Sequence, residues 1–164
     1  MNYETTKHLL DAISPYYDLT KISVLTENKD YRGHHYQSDF VTLDKNNNVH
    51  FEVFDNEIII SYFTDHKHFE DYTFELEERE PNFVARAIDF LVSLFKVSIY
   101  QIEVCKGNKL VYEKYYFVYP NGDEECVSGI IRHKLLFGFN LFAQKSINVT
   151  IWKYNFKENC FTKY

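Results

Sequence analysis

The sequence predicts an α+β domain: mostly antiparallel sheet in two meanders, packed against one long helix, with a short helix at the N-terminal end. Three observations carry that prediction. Apolar residues recur with a period of two between residues 40 and 63, and again between residues 98 and 156. Between those regions, residues 83–96 place apolar side chains at helical spacing. Asn, Asp and Gly cluster where tight hairpins require a residue that tolerates positive φ.

Taken in order, Tyr3 to Ile13 reads as the short helix. Leu9 and Ile13 lie on its apolar edge and Pro15 lies just past its end. Residues 26–39, TENKDYRGHHYQSD, are polar and contain Gly33, which predicts a loop. Strands follow at Phe40–Leu43, Val49–Phe54 and Ile58–Phe63, joined by Asp44–Asn48 and by Asp55-Asn56. In the middle strand Val49, Phe51 and Val53 alternate with His50, Glu52 and Phe54, one face apolar and one mostly polar. Residues 70–80 are an acidic run, EDYTFELEERE, whose first part alternates as a strand through Tyr72, Phe74 and Leu76.

Pro81-Asn82 introduces the long helix, Phe83 to Lys96. Phe83, Ala87, Phe90, Leu91 and Leu94 form a wide apolar stripe suited to lie across a sheet. The second β region holds Ser98–Cys105, Lys109–Tyr119 and Glu124–Ile131, with hairpin signals at Lys106-Gly107-Asn108 and Tyr119–Asp123. Residues 133–142, HKLLFGFNLF, fit helix and strand almost equally, with strand slightly preferred. Ile147 to Phe156 reads as the last strand. No repeat and no Pro/Gly/Ser linker divides the chain, so residues 1–164 are expected to form a single domain.

Composition narrows the function. The chain carries 14 Tyr and 15 Phe, and so many Tyr hydroxyls must reach water from half-buried rings, as on sheet faces and interfaces. The net charge of −6 is unevenly spread. Residues 1–80 hold 17 acidic and 7 basic side chains, and residues 81–164 hold 7 and 11. An acidic half disfavours phosphate backbones and favours a basic partner, so nucleic acid is not the expected ligand. Cys105, Cys126 and Cys160 form no disulfide framework, and no run of apolar residues reaches membrane-spanning length. A cytoplasmic protein that does not contact the membrane is the expectation.

Motifs for chemistry are absent. No Gly-x-Ser-x-Gly elbow, phosphate-binding Gly-rich loop or zinc-ligand spacing occurs. The richest polar stretch is Ser61–Tyr72, SYFTDHKHFEDY. His66 and His68, two apart on a strand, point to one face, with Glu70 next on that face and Asp65 and Asp71 on the other. A zinc site needs three or four ligands, so no metal and no cofactor is assigned; His66 and His68 are the residues that would hold a metal. The same stretch opens the acidic run, where carboxylates alternate with aromatic rings. It therefore reads as a docking surface for a basic protein, formed by Asp65, Phe69, Glu70, Asp71, Tyr72, Glu75, Glu77 and Glu78, with Phe69 as apolar anchor.

A single acidic, Tyr/Phe-rich α+β domain without catalytic motifs resembles, in composition, the immunity proteins of bacterial contact-dependent and other polymorphic toxin systems. The resemblance implies a non-enzymatic, stoichiometric inhibitor of a cognate toxin domain, often a basic nuclease. The competing expectation is a small-molecule-binding protein or metal-assisted enzyme with its site near His66 and His68. An exposed edge strand or aromatic surface also leaves a homodimer open.

Overall fold

Alternation of buried and half-exposed side chains runs through the first sheet of the computed structural model, which describes residues 2–31, 34–44, 46, 49–73, 78–79, 82–107, 109–131 and 144–164. Helix α1 spans Asn2–Ile13 and a single 3₁₀ turn spans Leu19–Lys21. Strands β1 (Ser23–Tyr31), β2 (His34–Asp44), β3 (Val49–Val53), β4 (Glu57–Tyr62) and β5 (Asp65–Glu70) follow. They pair antiparallel in chain order, an uninterrupted meander. Tyr72–Thr73 (β6) and Glu78–Arg79 (β7) form a separate two-stranded ladder. Helix α2 spans Phe83–Lys96. The second five-stranded sheet contains β8 (Ser98–Lys106), β9 (Lys109–Val118), β10 (Glu124–Ile131), β11 (Lys145–Asn155) and β12 (Cys160–Lys163).

The chain packs as two compact units, Met1–Phe95 with Asn155–Cys160, and Lys96–Tyr154 with Phe161–Tyr164. In the first, both helices lie on one face of the meander. Val41, Val49, Phe51, Val53, Ile58, Ile60, Tyr62 and Phe69 point to that face and are buried. Phe90 of α2 packs its ring 5.4 Å from Tyr62 and 5.6 Å from Phe69. From α1, Leu9 and Ile13 are buried, and the buried Thr6 hydroxyl donates to Asp39 Oδ2 at 2.9 Å. Asp39 Oδ1 accepts from Thr26 of β1 at 2.9 Å, so one carboxylate ties helix, centre and edge together. Between β2 and β3 the register slips at Leu43, which has no partner in the ladder. Its carbonyl accepts the hydroxyl of buried Tyr17 instead.

In the second unit the strand order is β10-β9-β8-β11-β12. Ile99, Gln101, Glu113, Tyr115 and Phe117 make its buried face. Trp152 Nε1 donates to Gln101 Oε1 (2.8 Å), Gln101 Nε2 donates to Glu113 Oε1 (2.6 Å), and the Tyr115 hydroxyl donates to the same oxygen (2.7 Å). The opposite face is more exposed, and on it Lys114 lies over the rings of Tyr112 and Tyr116. The β9–β10 hairpin closes through Gly122, whose φ of 89° needs a residue without Cβ, and Gly122 N donates to Tyr119 O at 2.9 Å.

Among the described residues the chain is thus α+β, with two five-stranded antiparallel sheets, one two-stranded ladder and two α-helices. Three expectations change. The helices have 12 and 14 residues, so the contrast between a short and a long helix does not hold. The second sheet is not a simple meander, because β11 returns to pair with β8 rather than with β10. Residues 26–31 and 34–39 are not loop: they belong to the paired strands β1 and β2, where Thr26↔Asp39, Glu27↔Ser38 and Asn28↔Gln37 are partners. The paired strands there are held by backbone hydrogen bonds, which need no apolar side chains. The segment 133–142 lies outside the described residues. Among the described residues, no helix is long and apolar enough to cross a membrane.

Candidate partner-binding face

The face of the first sheet opposite the helices is the candidate site. Two residues, Phe63 and Thr64, turn β4 into β5, and Phe63 takes the left-handed conformation (φ 54°) that such a tight turn demands. The turn sets the register: Ser61 faces His66, Ile59 faces His68 and Glu57 faces Glu70. One strand inward, His50 faces Ser61 and Glu52 faces Ile59; one further, Thr42 faces His50 and Phe40 faces Glu52. Paired residues share a face. The outer face is therefore a short array in which Phe40, Phe54 and Ile59 are half-buried among Glu52, Glu57, Glu70, His50, His66 and His68.

Contacts within the array order it. The rings of Phe40 and His50 stack 4.7 Å apart at 34°. Ser38 Oγ donates to Glu52 Oε1 at 2.8 Å. His66 and His68 meet edge to face, 5.0 Å between centroids. His68 Nδ1 donates to Glu57 Oε1 across the strand pair, with 44% and 30% of the two side chains exposed. Glu70 joins them: one ligand-type atom each from Glu57, His68 and Glu70 lies within 4.8 Å of the others.

The residues singled out in the sequence separate. His66, His68 and Glu70 are exposed on the outer face of β5. Asp65 is half-buried on the inner side of the same strand, where its Oδ1 accepts from His66 N at 2.8 Å and its Oδ2 is buried without a hydrogen bond. Lys67, on that inner side, holds its ammonium 4.8 Å from the Phe90 ring centroid. Phe69 is corrected outright. It is 3% exposed and packs on Phe90, so it is a core residue and offers no anchor to a partner. Its odd position in β5 points it at α2, while the even positions face outward. Asp71 is half-buried and its backbone N–H donates to Asn56 O at 3.1 Å. Tyr72 pairs with Arg79, and Thr73 with Glu78, in the β6–β7 ladder. Glu75 and Glu77 lie outside the described residues.

Phe40, Phe54, Ile59, Glu52 and Glu57 are not among the residues that the sequence singles out. The alternation in β3 places Glu52 and Phe54 on the polar face, but only strand order brings Phe40 and Ile59 beside them. No family model matches the sequence, and neither a curated protein nor a solved structure matches it.

Proposed function

We propose that the protein is a non-enzymatic binding protein that docks a basic protein partner on the outer face of the β1–β5 sheet, and that it acts as an inhibitor of that partner in the manner of a toxin-neutralising immunity protein. One observation carries the reading: Phe40, Phe54 and Ile59 lie half-buried on the outer face, interleaved with the carboxylates Glu52, Glu57 and Glu70. The half-buried apolar side chains desolvate a partner's surface, and the carboxylates among them steer a cation-rich surface onto the face. Of the residues singled out in the sequence, Glu70 belongs to this face, and Asp71, Tyr72 and Glu78 follow it in the chain. Three free cysteines fit a reducing compartment, so the cytoplasm is where we place the protein.

The test is co-expression with the protein encoded by the neighbouring upstream gene, together with capture of that protein on immobilised chain. The expected result is rescue of growth, a stoichiometric complex, and weakened capture by the triple variant Glu52→Lys/Glu57→Lys/Glu70→Lys. Release of the partner near 1 M salt, where charges are screened beyond about 3 Å, would accompany it. Capture by the triple variant as strong as by the native chain would place the interface elsewhere.

A further inference from the structure

The trio at the end of the β4–β5 hairpin has a second use, independent of any protein partner. Glu57 and Glu70 stand directly opposite each other, and like charges so placed repel unless a cation lies between them. His68 sits two residues before Glu70 on the same face and bonds Glu57, so the group is one imidazole nitrogen between two carboxylates. The donor atoms lie within 4.8 Å of one another. Bonds of about 2.1 Å around an ion place ligands about 3.4 Å apart, so side-chain rotation alone closes the set.

We propose that Glu57, His68 and Glu70 form a surface binding site for one divalent transition-metal ion of the zinc class. The chemistry of the donors selects the ion. Magnesium and calcium take oxygen ligands almost exclusively, whereas a mixed imidazole–carboxylate set suits zinc, iron, nickel or copper. Two carboxylates and a neutral imidazole carry a charge of −2, which one such ion neutralises. The ion takes the place of the hydrogen on His68 Nδ1, and the neutral ring carries that hydrogen on Nε2 instead. The remaining positions open to water, since His68 and Glu70 are exposed. Both strands are held by their ladder and by one two-residue turn, so the ligands need no refolding to converge. The histidine pair prominent in the sequence is thereby divided: His68 is a ligand, and His66 packs on its ring from outside the trio.

The experiment uses the full chain, without a tag and freed of metal by chelator, titrated with Zn²⁺ by calorimetry and with Co²⁺ by visible absorption. One ion per chain is expected. Loss of a mere outer-shell partner costs metal sites about 10–100-fold, so His68→Ala and Glu70→Gln should each weaken binding at least about tenfold. Glu57→Gln provides the same test from the other strand. Asp55→Asn, an exposed carboxylate in the β3–β4 turn, should leave the affinity unchanged. Absence of saturable Zn²⁺ binding to the native chain overturns the proposal. So does a loss in His66→Ala as large as in His68→Ala, which would give the ion to the histidine pair. A failed partner-capture experiment leaves this result untouched, and the reverse also holds.

Discussion

Glu57 and Glu70 face each other across the β4–β5 ladder, and His68 is hydrogen-bonded to the first and next to the second along its strand face. Without an added metal, the two carboxylates repel at neutral pH. Glu70→Gln should therefore stabilise the chain by about 0.2–1 kcal/mol, the usual scale of a cross-strand pair. Urea denaturation in chelator, at low salt, measures it. A destabilised Glu70→Gln would mean that the pair is already neutralised by its surroundings.

Asp39 links α1 to the sheet through Thr6 and reaches the edge strand through Thr26. Both threonine hydroxyls donate to a carboxylate that is itself buried. Asp39→Ala leaves the buried Thr6 hydroxyl without this acceptor, and about 1–3 kcal/mol of stability should go with it. Amide hydrogen exchange should localise the loss to α1 and β1. Uniform loosening of the whole chain would count against the tie.

Tyr17 makes a pH-dependent contribution. Burial pushes its phenol up; the Asn159 hydrogen bond opposes that, and Asp44 and then Asp18 add to the rise. Folding thus favours the protonated phenol. Its contribution is whole below the unfolded-chain value of about 10 and is lost as pH climbs through the raised folded value. Tyr17→Phe should cost about 1 kcal/mol at neutral pH, through the Leu43 carbonyl it abandons, and should flatten the alkaline limb of the stability curve. An unchanged alkaline limb in the variant would remove Tyr17 as its source.

The cysteines should differ in reactivity. Burial holds the Cys160 thiol above its ordinary range, and the carboxylates of Asp44 and Glu158 add to the effect. Cys126 is exposed. Thiolate is the reacting form, so a disulfide reagent near pH 8 should label Cys126 well before Cys160, as followed by peptide mass spectrometry. Equal rates would show that Cys160 opens to solvent faster than labelling.

Trp152, the sole tryptophan, reports on the second sheet. It ends the chain of hydrogen bonds through Gln101 to Glu113, a carboxylate only 1% exposed that also accepts from Tyr115. Tyr115→Phe removes one donor from a buried carboxyl group and should cost about 1–3 kcal/mol. Denaturation followed by Trp152 fluorescence reads that loss directly. A neutral substitution would mean that Glu113 is satisfied without the phenol.

Several elements are legible in the residue pattern alone. The alternation Val49, Phe51, Val53 against His50, Glu52, Phe54 matches the buried and half-exposed faces of β3. The apolar stripe of Phe83–Lys96 matches α2, whose Ala87, Phe90, Leu91 and Leu94 are buried. The common face of His66 and His68 is likewise readable, because the strand period is two and needs no tertiary information. The polar part of the β1–β2 pair is not legible, whereas Phe40–Leu43 at the end of β2 is. Residues 26–31 and 34–39 are mostly polar and pair through their backbones, which leaves no hydrophobic pattern.

Residue order alone therefore fixes the local periods of the chain, its acidic N-terminal half, and which residues share a side of a strand. Which residue stands opposite which is settled only by tertiary pairing. Glu57 and Glu70 are thirteen positions apart, and the two-residue turn at Phe63-Thr64 makes them neighbours. A turn one residue longer would shift the register and set a different pair face to face. It is likewise the packing of α2 that makes Phe69 core rather than surface, because apolar character alone does not say which of two faces a helix will cover.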